Sequence, residues 1–251
     1  MRKTILDKLN EIEQKYNVTI LYAVESGSRA WGFASPDSDY DVRFIYKRKV
    51  SDYLKLEKQR DVIEYMSDDG LLDFTGWDLD KTLKLVYASN PSLIEWANTT
   101  LIYKETPDFQ LIKKQIIQYM DKKKCMLHYI HMASNNYETY LRKDYVNMKK
   151  YFYALRPIFA AKWLKEHDGL IPLEFTTLLE NECPLDYKND IYKMLEIKKE
   201  NVESSQYPIN TKLNNFIKET LNDLEGYAKE LNTINKDFQE LDDLFFNLIN
   251  N

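Results

Sequence analysis

The chain has 251 residues, of which 44% are hydrophobic and 30% charged, and its formal net charge is −5. That balance is the one of an ordinary globular protein of one or two domains, and it argues against a wholly basic nucleic-acid coat protein. No apolar run reaches the roughly 18 residues of a membrane span, and the start MRKTILDKLNEIEQ has no apolar core of a signal peptide, so no membrane partner and a cytoplasmic location are expected.

The charge is unevenly spread. Residues 111–165 hold twelve Lys and Arg against three Asp and Glu, so this stretch carries +9 and the remainder −14. A basic segment inside an acidic chain suggests a local site for a polyanion. The two cysteines, Cys125 and Cys183, have no CxxC or metal-ligand spacing and read as free buried thiols. His128 and His131 share helical spacing but lack further ligands, so packing or RNA contact is expected of them rather than metal.

In chain order, apolar residues at Ile5, Leu9, Ile12 and Tyr16 predict a helix that Asn17 breaks. Residues 18–24 (VTILYAV) form a buried strand by composition. Residues 27–32 suggest a tight turn into a short helix, 35–38 a loop, and 39–46 (DYDVRFIY) a second strand. One or two helical turns fit within 47–60. Strands are expected at 61–66 and 71–77, followed by a helix with Asp78 as its N-cap that ends before Asn90-Pro91. A short helix SLIEWAN and a brief strand at 101–103 complete the mixed region. Beyond residue 106 the pattern is helical, at 107–133, 137–166, 171–180 and 187–199, with one long amphipathic helix over 210–248. Two domains follow from this, α/β over 1–105 and α-helical over 106–251. Trp77 and Trp96 belong to core or interface packing.

The chemistry concentrates in residues 24–46. Residues two apart on a strand share a face, so Asp39 and Asp41 project together and make an oxygen-rich seat for a hard cation such as Mg2+. Gly27-Ser28, at a turn into a helix, allows close backbone approach to a phosphate and adds N–H and hydroxyl donors. A metal seat and a phosphate seat joined by one loop point to phosphoryl chemistry on a nucleoside triphosphate. Ser28 can also be a simple helix cap, Arg29 either a phosphate ligand or a surface ion pair, and Arg43 either a counterion of the aspartates or a substrate ligand.

The pattern Gly27-Ser28 … Asp39-Tyr40-Asp41 resembles the signature of the DNA polymerase β-type nucleotidyltransferase superfamily. The longer string GSRAWGFASPDSDYDVRFIY, together with residues 72–103 and with KKYFYALRPIFAAKWL (149–164), resembles a predicted RNA-repair subgroup of it. The resemblance covers about residues 18–180. It implies an α+β fold, with a small mixed sheet and flanking helices forming the catalytic domain and helices beyond it. It also implies a third carboxylate. Asp73, a charge inside an apolar alternation, is preferred, with Asp78 and Glu64 as alternatives. Asp39, Asp41 and Asp73 would then be both the catalytic and the metal-binding residues, holding two Mg2+ ions or Mn2+ in their place. Gly27, Ser28 and Arg29, with Lys149, Lys150 and Arg156 of the third block, would hold the nucleotide. The expected activity is transfer of a nucleotidyl group from an NTP to an acceptor hydroxyl, foremost an RNA 3′ end bound through residues 111–165. A protein or small-molecule acceptor, and an inactive binding module, are the alternatives. Tyr151, Phe152 and Tyr153 are expected in the core more than on bases.

Overall fold

The computed structural model describes residues 1–200 and 206–250. It divides into two compact units, one of residues 1–30, 39–120 and 235–251, the other of 31–38 and 121–234. The first unit is built on a five-stranded mixed sheet of β1 (Thr19–Glu25), β2 (Tyr40–Lys47), β3 (Val62–Met66), β4 (Leu72–Asp78) and β5 (Ile102–Glu105), in the order β3-β4-β2-β1-β5. Only β2 and β4 run parallel; the other neighbours are antiparallel.

Helix α1 (Arg2–Tyr16) covers one face of the sheet. Its Ile5, Leu9 and Ile12 pack with Val42, Phe44, Tyr46 and Phe74. Asn17 ends it in the left-handed conformation, at φ 51°, a backbone state that asparagine tolerates better than most residues. Gly76 faces the same core, and a β-carbon there would overlap the Phe44 ring, so the ring lies directly on the backbone of β4.

The opposite face is covered by α4 (Leu79–Tyr87), α5 (Pro91–Asn98) and α6 (Pro107–Tyr119). Tyr22 stacks on Phe109 at 3.5 Å and donates its hydroxyl proton to the Trp96 carbonyl at 2.8 Å. Trp77 stacks on Trp96 at 3.8 Å, as their packing role requires. Asp78 caps α4 by accepting from the Asp80 N–H, and Asn90 caps α5 with Pro91 at its first position. Single-turn helices α2 (Gly27–Ala30) and α3 (Val50–Tyr53) complete this part of the chain.

The second unit is mainly helical: α7 (Lys122–Tyr140), α8 (Lys149–Glu166), α9 (Phe175–Glu182), α10 (Leu185–Glu200) and α11 (Thr211–Glu230). Phe152, Phe159 and Phe175 form its aromatic centre with Phe33. Two short strands, β6 (Tyr145–Asn147) and β7 (Gln206–Pro208), pair antiparallel, where helix and loop were expected.

The single helix expected over 210–248 is two. α11 ends at Glu230, Leu231 turns extended, and α12 (Gln239–Asn250) starts afresh within the first unit. The stretch Asn232-Thr233-Ile234-Asn235 explains the break. Its polar side chains compete for backbone hydrogen bonds, and the Ile234 N–H is drawn instead to Asp121 Oδ2 at 2.6 Å. The same Asp121 caps α7 through the Lys124 N–H, which separates α6 from α7 where one helical run was expected.

Candidate active site

The site is built where β1 ends and β2 and β4 begin. β2 and β4 run parallel with Asp41 directly opposite Asp73, so strand register alone sets these two carboxylates side by side. Both belong to the sheet face that carries Arg43, Thr75 and, further along, Trp77. Two carboxylates at one level repel unless a cation lies between them. Arg43 supplies it: a single nitrogen, Nη2, donates to Asp41 Oδ1 at 2.6 Å and to Asp73 Oδ2 at 2.8 Å. Nη1 adds a longer bond to the Asp73 carbonyl at 3.2 Å. The three side chains are 17%, 19% and 24% exposed for Arg43, Asp41 and Asp73, so the cluster is shielded yet reachable from solvent.

Gly27 closes the site from the β1 side. Its φ is 60°, and a β-carbon on it would overlap the Asp41 carboxylate. Glycine is therefore required twice, for the left-handed backbone and for the close approach. Ser28 follows, buried. α2 is a single turn, so it offers local N–H groups rather than the summed dipole of a long helix. Arg29 donates to the Asp39 carbonyl at 2.9 Å, and its guanidinium lies 3.7 Å from the Tyr40 ring centre, tying the turn to the start of β2.

The expected residues are thus only partly gathered. Asp41, Asp73, Gly27 and Arg43 converge. Asp39 lies one residue before β2 and is exposed. Among the described residues, no three Asp, Glu, His or Cys side chains stand close enough together to hold a metal ion. Asp78, the second choice for a third carboxylate, lies on the other face of β4, buried. It accepts from Arg48 Nε, the Tyr53 hydroxyl and the Asp80 N–H, so structural bonds fill it. Glu64 is exposed and pairs with Arg60.

Glu25 was missed. It ends β1 almost fully buried, accepting the Asp41 N–H at 2.9 Å and the Tyr103 hydroxyl proton. Burial pushes its carboxyl above the ordinary 4.5, against the pull of the Tyr103 and Asp41 hydrogen bonds. It fixes the backbone from which Asp41 projects. An acid closing the apolar run TILYAVE was the available signal, but its partner Tyr103 is 78 residues away in sequence.

In the second unit, the Lys149 and Lys150 ammonium groups lie 5.8 and 5.2 Å from the Tyr153 ring centre, and Lys150 lies 3.9 Å from that of Tyr140. Arg156 is 2% exposed, with its guanidinium 4.5 Å from the Trp31 ring centre, so it is packed inside this unit. Tyr151 and Phe152 are buried, as expected, and Tyr153 is half-buried. The +9 segment is divided between the units, and several of its cations are engaged locally. Lys123 donates to the Leu231 carbonyl, Lys162 to the Glu182 carbonyl, Lys165 pairs with Asp223 and Arg142 with Glu138. His128 and His131 are both exposed on α7.

A mixed sheet that sets paired carboxylates beside a Gly-Ser turn defines the chain as nucleotidyltransferase-like. The chain belongs to the RNA repair pathway DNA polymerase beta family, whose pattern matches residues 1–247. It is 41% identical over 252 residues to "Uncharacterized protein YcgL" of Bacillus subtilis (strain 168), covering 99% of this chain and 96% of that one. It is also similar to the crystal structure of a nucleotidyltransferase-like protein from Exiguobacterium sibiricum 255-15, at 15% identity and a TM-score of 0.31, over 90% of this chain and 74% of that chain. Family membership makes the chain a polymerase-β-like nucleotidyltransferase, a class of enzyme that acts on nucleoside triphosphates and generally uses divalent metals. Among the described residues, no helix is long and apolar enough to cross a membrane.

Proposed function

We propose that this protein is a metal-dependent nucleotidyltransferase that moves a nucleoside monophosphate from an NTP to an acceptor hydroxyl, foremost the 3′ end of an RNA, and releases pyrophosphate. The observation that carries it is the Asp41–Asp73 pair, set at one level by parallel register and holding a cation between the two carboxylates. The donor set fits a hard divalent cation: two carboxylates share one point, and Arg43 Nη2 is the stand-in charge there. Asp41 and Asp73 would hold Mg2+, or Mn2+ in its place, with the exposed Asp39 joining them from the start of β2. When bound, the metal supplies charge neutralisation for the triphosphate and acidifies the attacking hydroxyl.

The chain's own groups do the rest. Gly27 and Ser28 offer a main chain that a phosphate can approach without a side chain intervening. Asp73 accepts the proton of the acceptor hydroxyl. The freed oxygen forms a bond to the α-phosphorus, and the bond to the bridging oxygen breaks toward pyrophosphate. Most of the rate gain comes from positioning and electrostatics. The first unit carries this chemistry. In the second, Lys149, Lys150 and Tyr153 combine charge with an aromatic face, the pairing that suits a single-stranded acceptor. The buried thiols, Cys125 raised to about 12 and Cys183 to about 11 by burial, form no disulfide with each other and suit a reducing cytoplasm.

A second acceptor class has its own support. Lys123 and Lys162 donate to main-chain carbonyls and Lys165 pairs with Asp223, which lowers the positive charge available to a long polyanion and favours a protein or small-molecule hydroxyl. One experiment separates the two. The protein is incubated with Mg2+, each NTP labelled at the α-phosphorus, and a panel of RNA, DNA, protein and small hydroxyl-bearing molecules. Label on RNA 3′ ends supports the proposal; label only on protein or on a small molecule moves the acceptor to the second class. No transfer to any acceptor under these conditions would overturn the enzyme assignment.

A further inference from the structure

We propose that Arg43 is a resident counter-cation that keeps the Asp41–Asp73 pair closed to divalent metal until a nucleoside triphosphate arrives, and then becomes a positioning residue for that triphosphate. This rests on the transferase reading of the same site and deepens it.

Three observations carry the inference. First, one nitrogen serves both carboxylates, at 2.6 and 2.8 Å, instead of the parallel two-nitrogen bonding that arginine normally makes to a single carboxylate. The guanidinium therefore stands at the point that a shared metal ion would need. Second, Arg43 follows Asp41 by two on β2, so strand geometry places its side chain on the carboxylates' face. Third, the cluster is only part-buried. Its ion pairs are open to exchange, because water can solvate the departing guanidinium.

These facts have a thermodynamic consequence. A metal ion arriving alone must expel Arg43 while offering it nothing. A metal–triphosphate complex brings both a replacement cation for the carboxylates and phosphate oxygens for the guanidinium, which binds phosphate well through its planar fork. Metal and nucleotide must then bind with positive coupling, each tightening the other by the same factor.

The test is Mn2+ binding, followed by electron paramagnetic resonance of the free ion, with and without an NTP analogue whose α–β bridge is a methylene. In wild type, Mn2+ binds weakly alone and tightens with the analogue. In Arg43→Gln, Mn2+ alone tightens by about tenfold, the size expected when one charged hydrogen-bonding competitor is removed, and most of the coupling disappears. Arg43→Lys keeps the charge without the planar fork, so Mn2+ alone stays weak while the coupling falls. It carries the test if the Gln variant loses the wild-type circular dichroism. Wild-type coupling in the folded variants overturns the role of Arg43 and leaves the transferase reading standing. Absence of Mn2+ binding to every form, even with the analogue, overturns both.

Discussion

The main chain at Gly27 lies so close to the Asp41 carboxylate that a β-carbon on Gly27 would overlap Oδ2. Gly70 is the natural comparison: it also has a positive φ, 70° against 60°, but nothing stands within 4 Å of the β-carbon it would carry. Gly27→Ala and Gly70→Ala should therefore share the backbone cost of the left-handed region, about 1 kcal/mol. Only Gly27→Ala should go further. It should displace the carboxylate and lower nucleotidyl transfer by about 100-fold, as small misplacements of a catalytic group do. Thermal unfolding and transfer rates measured on both variants check this; equal behaviour of the two would show that Asp41 tolerates displacement.

Asp73 and Asp78 lie five residues apart on β4 but on opposite faces, and substitution should separate their roles. Asp73→Asn should leave the fold intact and reduce transfer by about 1,000-fold or more, since it weakens the proposed metal seat and removes the proposed proton acceptor. Asp78→Ala should lower stability, by about 1 kcal/mol for the lost cap alone and further because Arg48 and Tyr53 lose a buried acceptor. Transfer per folded molecule should stay within a few-fold of wild type. The reverse pattern would move the third carboxylate to Asp78.

Local pattern made the first unit largely legible. A β-branched apolar run located β1, alternation located β2, short apolar runs between turns located β3 and β4, the cap residue Asp78 located α4, and Asn90-Pro91 located the α4–α5 junction. Asp41 and Asp73 were legible as charges in apolar strands. Their pairing was not, because parallel register is a long-range property that no short window of sequence contains. Arg43 was ambiguous for the same reason, since its second partner lies 30 residues on. The break between α11 and α12 was missed because an amphipathic stripe continues through it, while the Asp121 side chain that stabilises the break comes from 113 residues earlier. Strands β6 and β7 have three residues each, too few for alternation to register.

Glu182 in the second unit makes a prediction about pH. Among the described residues its buried carboxylate has no hydrogen-bond partner, and the His167 ring lies 3.7 Å from one of its oxygens. Burial pushes its carboxyl above the ordinary 4.5, helped by the nearby Glu166 and opposed by Lys162 and His167. The folded protein thus holds this proton more tightly than the unfolded chain does. The stability linked to Glu182 is complete below the ordinary value and is lost as pH rises through the folded one. Glu182→Gln should raise the unfolding midpoint by about 2–4 °C near pH 8, if the relief is about 1 kcal/mol, and leave it unchanged near pH 4. A gain that persists at low pH would mean that packing, not ionisation, governs this position.

The basic segment makes the last prediction, because the structure sorts its lysines. Lys123 and Lys162 donate to carbonyls at the ends of α11 and α9, so their charge serves the fold. Lys149 and Lys150 lie at the start of α8 near the half-buried Tyr153 ring. If RNA is the acceptor, Lys149→Gln and Lys150→Gln should each reduce the slope of log affinity against log salt by about 0.7–1, the signature of one lost phosphate contact. Tyr153→Ala should weaken binding by about 1–3 kcal/mol without changing that slope, because stacking releases no counterions. Lys123→Gln and Lys162→Gln should leave the slope alone and lower stability instead. Binding of a short single-stranded RNA, followed by fluorescence anisotropy across a salt series, reads all five variants. A slope that responds to Lys123 as strongly as to Lys149 would place the acceptor on a different face of the helical unit.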